Sequence, residues 1–162
     1  MVNPSLNKLK IILGTSFGSG YLPVAPGTWG SLVAIPVIWV INLYVGWIGL
    51  LAFIIVTSLI TLWVTPACEE QWGKDPSKLV MDEWAGQGLS LFMIPLPYTL
   101  NEHWWILLAA FILFRFFDIL KPFGIKRVQS LEAGLGVLLD DLLAGLYALI
   151  SLNLLILIVE NV

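Results

Sequence analysis

Long apolar runs, separated by short polar segments, dominate the pattern of this chain. A membrane-spanning helix needs about 20 apolar residues, and the run over residues 29–65 is long enough for two. The pattern therefore predicts five transmembrane helices, preceded by a short helix over residues 5–16 that lies at the membrane interface. The five predicted spans are two within 29–65, with a break near 42–49, followed by 79–94, 103–120 and 134–159.

Glycine, proline and polar residues separate these predicted helices. Residues 17–28 are rich in glycine and proline and predict a loop, and residues 66–78 are polar and predict another. Pro95 and Pro97 end the third predicted span, and Lys121-Pro122 ends the fourth. The predicted fold class is all-α, a polytopic integral membrane protein with one domain over residues 1–162.

Composition agrees with a membrane protein. The chain is 59% hydrophobic and 12% charged, whereas soluble domains carry about 25% charged residues. Its formal net charge is −3, and it has no basic cluster long enough to follow a nucleic-acid backbone. We therefore expect a bilayer as its environment and no nucleic-acid partner. The oligomeric state cannot be read from these features.

Basic residues predict the orientation of the spans. They fall before the first span, between the second and third, and between the fourth and fifth, where the positive-inside rule places the cytoplasm. An orientation with the N-terminus inside and the C-terminus outside accounts for all eight, including Arg115 near the cytoplasmic end of span four. The other seven are Lys8, Lys10, Lys74, Lys78, Lys121, Lys126 and Arg127.

Acidic residues inside apolar segments are the strongest indication of function. Asp140 and Asp141 stand side by side within the fifth span, and each carboxylate near a bilayer centre costs about 2.5–3.5 kcal/mol. Asp82-Glu83 opens the third span, and Asp118 lies near the end of the fourth. With the predicted orientation, all five acids lie toward the cytoplasmic face. The sequence therefore predicts one acidic site there.

Carboxylate oxygens without nearby cysteine or histidine favour Mg²⁺, Mn²⁺ or Ca²⁺ over zinc. Arg115, Lys121 and Lys126 at the same end could balance a substrate phosphate. Arg115 and Lys121 each lie three residues from Asp118 along the helix. Phosphoryl transfer on a lipid headgroup fits these groups. His103 is predicted on the opposite side and Cys68 lacks an arginine six residues later. A metal-activated water is then the expected nucleophile, with an attacking carboxylate left open.

Other interpretations compete with this one. A cation- or proton-coupled transporter also carries acids within its spans, and a structural membrane subunit is a third class. Arg115 and Asp118 could be a simple ion pair, and Gly27-Thr28 only a turn and helix cap. Lys126 and Arg127 suit a role in topology, and Asp75 with Glu69 and Glu70 suits a solvated loop.

Four strings in order along the chain resemble the phosphatidylglycerophosphatase A family. They are Phe17-Gly-Ser-Gly…Ala25-Pro-Gly-Thr28-Trp-Gly-Ser31, Asp75-Pro-Ser…Asp82-Glu83, Phe114-Arg-Phe-Phe-Asp118-Ile-Leu-Lys121-Pro122 and Gly136…Asp140-Asp141-Leu-Leu-Ala-Gly145. The resemblance implies Mg²⁺-dependent hydrolysis of phosphatidylglycerophosphate to phosphatidylglycerol and phosphate, at the cytoplasmic side of a bacterial inner membrane. One departure is residues 131–134, where many relatives carry a histidine or a second glycine.

The acidic and basic residues of the predicted site lead us to expect specific roles. Asp82, Glu83, Asp140 and Asp141 are the expected metal ligands or bases, and Asp118 is the next catalytic candidate. Lys121 and Arg115 are expected to hold the phosphate, with Thr28 donating a hydrogen bond from the loop that also carries Gly27 and Ser31. Which carboxylate binds the metal stays open at this stage.

Overall fold

The computed structural model describes residues 4–96, 104–122, 124–129, 131 and 134–161. Within these ranges the chain is helical and contains no β-strand, so the all-α prediction is confirmed. The elements are α1 (Pro4–Gly14), a 3₁₀ turn (Ser19–Tyr21), α2 (Pro26–Trp72), α3 (Met81–Ser90), α4 (Trp104–Leu120), α5 (Ile125–Val128) and α6 (Leu135–Glu160).

A kink at Gly46 bends α2 into two arms. Gly46 has φ 73° and ψ −159°, a combination that is open almost only to glycine. The kink lies inside the break predicted for residues 42–49. The second arm then runs past the predicted loop start at 66 to Trp72, despite Pro66, so the predicted loop over 66–78 begins too early. Ala67 and Cys68 are buried there, and their packing favours continued helix over a solvated loop.

Among the residues that the structure describes, two helices, α2 and α6, are long and apolar enough to cross a membrane, rather than the five predicted. The third predicted span is wrong as a full helix, because α3 has 10 residues and rises only about 15 Å. After Ser90 the backbone hydrogen bonds join residues three apart rather than four. The Leu91 N–H, for example, donates to the Gly88 oxygen at 3.3 Å. The fourth predicted span is represented by the 17 residues of α4; His103 lies outside the described residues.

Polar side chains are buried and apolar ones are exposed over much of the molecule. All residues of α3 except Leu89 are buried, Gln87 among them. By contrast, Leu59, Ile112 and Ile150 on three different helices are each at least half exposed. Soluble monomers rarely expose extensive apolar surface, whereas exposed large apolar side chains occur along α2, α4 and α6 here, so this outer surface suits contact with lipid tails.

Glycines allow α3 to approach its neighbours closely. A Cβ atom on Gly145 of α6 would collide with the carbonyl oxygen of Gly86 in α3, and one on Gly86 would lie 2.6 Å from the Asp141 carbonyl oxygen. The small residues at 144 and 145 thus admit a neighbouring helix, as small residues do in membrane bundles. This approach brings the acidic start of α3 beside Asp141.

We predict that Gly46→Ala destabilises the protein, because alanine cannot adopt this backbone conformation without strain. The expected loss is about 1–3 kcal/mol, measured as a lower midpoint of thermal unfolding in detergent. Val45→Ala, at an exposed position beside the kink, is the matched control and should shift the midpoint little. Equal midpoints for Gly46→Ala and the control would contradict a strained kink.

Candidate active site

A cavity of about 330 Å³ opens where α2 and α3 begin and α4 ends. Its wall combines acidic, basic and small residues from five segments of the chain. The lining residues are Pro26, Gly27, Asp75, Pro76, Ser77, Leu79, Asp82, Glu83, Arg115, Asp118, Ile119, Lys121, Gln129, Val137, Asp140 and Asp141. All five acids predicted for the site, and both predicted phosphate-binding cations, therefore line one cavity.

Three of these acids form a compact group. One carboxylate oxygen each from Glu83, Asp118 and Asp141 lies within 4.8 Å of the others, and all three residues are buried. They come from the start of α3, the end of α4 and the second turn of α6, so only the folded bundle brings them together. This trio differs from the predicted metal set, because it includes Asp118.

Arg115 links the trio to α2. Its guanidinium forms an ion pair with Glu83 and another with Asp118 at 2.9 Å. Its Nη1 lies 3.4 Å from the Ser31 hydroxyl oxygen, and that hydroxyl donates to Glu83 Oε2 at 2.7 Å. The Arg115–Asp118 pair is thus one edge of a network across three helices.

Lys121 pairs with the remaining acid of α6. Its ammonium group contacts Asp140 and lies 4.0 Å from Asp118. Lys121 follows the last residue of α4 with a positive φ of 47°, a conformation common just after helix ends. Burial opposes the charge of Lys121, but the hydrogen bond and the charge of Asp140 outweigh it and raise its pKa. Lys121 therefore stays cationic.

The cavity carries more negative than positive charge. Apart from Asp75 at the exposed rim, the described lining residues include five carboxylates and two cationic side chains, Arg115 and Lys121. Asp82 Oδ1 and Asp141 Oδ2 are buried without a hydrogen-bond partner among the described residues. Buried carboxylate oxygens without partners are costly. Both observations favour a bound cation.

The donor set fits Mg²⁺. Mg²⁺ binds oxygen ligands at 2.0–2.1 Å in octahedral geometry, so two ligands of one ion lie at most about 4.2 Å apart. Small closing shifts of Glu83, Asp118 and Asp141 would satisfy that limit. Asp82 Oδ1 lines the same cavity and is available as a further ligand or as a base.

The three residues of α2 predicted to contact substrate differ in their position relative to the cavity. Gly27 lines the cavity, and a Cβ there would collide with the Glu83 carboxylate and lie 3.2 Å from Arg115 Nη1. Ser31 is fully buried behind it and bonded to Glu83. Thr28 is half-buried in the first turn and does not line the cavity formed by the described residues. Its direct contact with substrate stays a prediction.

Two rim residues were not predicted for the site. Gln129 Nε2 donates to Asp75 Oδ2 at 3.0 Å, and both side chains line the cavity. Asp75 was interpreted as part of a solvated loop, although the string Asp75-Pro-Ser that precedes Asp82-Glu83 was an available signal. Gln129 carries no comparable signal in the sequence.

Comparison with known proteins agrees with this arrangement. The model of the family "Phosphatidylglycerophosphatase A" matches residues 12–156. The chain belongs to this family. It is therefore an enzyme of the phosphoric monoester hydrolase class, and the resemblance read from its motifs is confirmed.

Three curated relatives match over most of their length. A Bacteroides thetaiotaomicron protein named "Putative phosphatidylinositol-3-phosphatase" is 39% identical over 93% of this chain and 94% of its own. The Haemophilus influenzae phosphatidylglycerophosphatase A is 40% identical over 91% of this chain and 92% of its own. The Escherichia coli phosphatidylglycerophosphatase A is 31% identical, over 83% and 76% respectively. No solved structure matches the chain.

We predict that Asp118→Asn weakens Mg²⁺ binding as strongly as Glu83→Gln or Asp141→Asn, because one carboxylate oxygen from each residue lies close enough to the others to bind the same ion. Each should lower the affinity by at least about 10- to 100-fold, the loss seen when even a supporting group is removed. Calorimetric titration of the purified variants measures this.

Two further variants make this test specific. Asp140→Asn should weaken Mg²⁺ binding less, since its carboxylate is paired with Lys121. Glu70→Gln, at an exposed position outside the cavity, should bind as the wild type does. If Asp118→Asn leaves the Mg²⁺ affinity unchanged while Asp140→Asn lowers it strongly, the metal ligands are those predicted from the sequence and not the trio.

Proposed function

We propose that this protein hydrolyses phosphatidylglycerophosphate to phosphatidylglycerol and phosphate with Mg²⁺ as its cofactor. The observation that carries the proposal is the buried carboxylate trio beside two cationic side chains in one cavity. The family match supplies the reaction class, and the names of the Haemophilus influenzae and Escherichia coli relatives supply the substrate.

Glu83, Asp118 and Asp141 would hold the metal. When bound, Mg²⁺ would stabilise charge on the phosphate oxygens and activate a water molecule. Arg115 and Lys121 would bind the remaining phosphate oxygens, since a guanidinium and an ammonium form strong charge-assisted hydrogen bonds with them. Asp82 Oδ1, which lacks a partner among the described residues, would accept the proton of the attacking water. The water oxygen would form its bond to phosphorus as the bond between phosphorus and the glycerol oxygen breaks. The leaving glycerol oxygen would take up the proton that Asp82 accepted and depart as a hydroxyl.

The size and place of the cavity favour a lipid headgroup as its occupant. Its volume of about 330 Å³ is at the lower end of small-molecule sites, so acyl chains would remain outside. Ile119 lines the cavity and is 65% exposed, which gives the cavity an apolar outer edge. A lipid could keep its tails against such a surface while its phosphate reaches the acids.

We further propose a multi-pass arrangement in a bacterial inner membrane, with the cavity on the cytoplasmic side. The two arms of α2, together with α4 and α6, would cross the bilayer. The short α3 and residues 91–96 after it would make the remaining crossing, since Met93 and Leu96 line a cavity with Gly46 at the kink of α2. Lys126 and Arg127 follow α4 close to the cavity, where the positive-inside rule favours the cytoplasm. The comparisons give no support to the transporter alternative.

We expect the purified protein to release phosphate from phosphatidylglycerophosphate in the presence of Mg²⁺. EDTA should abolish the activity, and added Mg²⁺ should restore it, because carboxylates without the metal only repel the phosphate. Phosphatidylinositol 3-phosphate is the comparison substrate, suggested by the name of the Bacteroides thetaiotaomicron relative. Full turnover in EDTA would refute the metal dependence, and turnover of the inositol lipid alone would refute the proposed substrate.

Cysteine labelling tests the orientation. A cysteine at exposed Lys126 should react with a membrane-impermeant maleimide only from the cytoplasmic side, whereas one at Tyr44, beside the kink, should react only from the other side. The native Cys68 is buried, so it should stay unlabelled. Labelling of both positions from one side would contradict a crossing by the first arm of α2.

A further inference from the structure

Asp75 and Gln129 form a polar pair at the rim of the cavity. They come from two separate loops, the one between α2 and α3 and the one after α5, and a 3.0 Å hydrogen bond joins their side chains. We propose that this pair binds the headgroup hydroxyl next to the reacting phosphate, and so selects lipids whose phosphate is carried by a polyol. The inference rests on the proposed function.

Backbone contacts hold both side chains at the rim. Asp75 has a positive φ of 51°, its N–H donates to Glu69 Oε1 at 3.4 Å, and the next residue, Pro76, is buried. The Gln129 N–H donates to the Ile125 oxygen at 3.1 Å, which places Gln129 directly after α5. Each loop is thus fixed by its own hydrogen bond, independently of the bond between the two side chains.

The chemistry of the pair suits a hydroxyl group. An ionised carboxylate only accepts hydrogen bonds, whereas a side-chain amide both donates and accepts. A hydroxyl placed between them can donate to Asp75 and accept from Gln129 Nε2, so it can replace the direct bond without leaving either group unpaired. A phosphate there would meet the negative charge of Asp75 and be repelled.

Charge along the cavity then orients the substrate. The cations Arg115 and Lys121 are partly buried among the carboxylates, whereas Asp75 is exposed at the rim. A headgroup that presents phosphate to the cations and a hydroxyl to the rim matches both ends. A phosphate carried on a plain alkyl chain matches only the inner end. The pair would therefore contribute to selectivity for the headgroup rather than to the chemical step.

The test compares phosphatidylglycerophosphate with an analogue whose headgroup glycerol is replaced by 1,3-propanediol, which lacks the hydroxyl. For the wild type, kcat/KM should fall by about 10- to 100-fold on the analogue, the range for a hydrogen bond to a charged group. Asp75→Ala and Gln129→Ala should lose a similar factor on the natural lipid and no longer distinguish the two substrates. Gln71→Ala, an exposed glutamine outside this cavity, should behave as the wild type on both.

A purely structural role gives a different result. If the pair only joins two loops, the variants will lose activity equally on both lipids and keep the wild-type preference, which would overturn the inference. If Asp75→Ala fails to fold, Asp75→Asn keeps the shape and must still show a reduced preference. Wild-type turnover of both lipids at equal rates would overturn this inference alone. An absence of wild-type turnover of phosphatidylglycerophosphate would overturn the proposed function and this inference with it.

Discussion

Unbalanced negative charge at one end of an apolar helix bundle is the constraint on which the site depends. Five carboxylates share the interior of one cavity with two cationic side chains. Such a group is stable only where each charge has a partner, because burial of an unpaired ion is strongly unfavourable. Arg115 and Lys121 pair with Glu83, Asp118 and Asp140, and the remaining excess favours a divalent cation.

Close backbone approach makes this concentration of charge possible. The acids belong to three helices, and their carboxylates converge only because glycines remove the side chains that would separate the elements. Gly86 and Gly145 bring α3 against α6, and Gly27 brings the start of α2 against the Glu83 carboxylate. The electrostatic site and the small-residue contacts are therefore one structural feature, and a larger side chain at Gly27 would alter the site without changing any charged group.

The sequence predicted that the five acids lie together at one site. It did not predict that Glu83, Asp118 and Asp141 form a trio while Asp140 pairs with Lys121. The positive-inside rule placed all five acids on one face, and they do line one cavity. The rule could not predict that Asp118 rather than Asp140 joins the trio, because that depends on how α4 and α6 are rotated about their axes. The length of α3 was also missed, since the apolar run over 79–94 has the composition of a span while its backbone leaves the helix after Ser90. Asp75 was interpreted as part of a solvated loop, because an acidic residue at the rim of a cavity and one in a solvated loop occur in the same kind of polar sequence.

Helix dipoles and ion pairs together give the acids of the cavity different environments. Asp82 and Glu83 lie in the first turn of α3, where the positive end of the helix stabilises negative charge by about 0.3–1 kcal/mol, and up to ~2 kcal/mol when partly buried. Asp118 lies in the last turn of α4, where the dipole opposes its charge. Arg115 and Lys121, three residues before and after it, offset that opposition. Asp118 thus already has two cationic neighbours, whereas Asp141, whose Oδ2 is buried without a hydrogen-bond partner among the described residues, would gain most from a metal shared with Glu83 and Asp118.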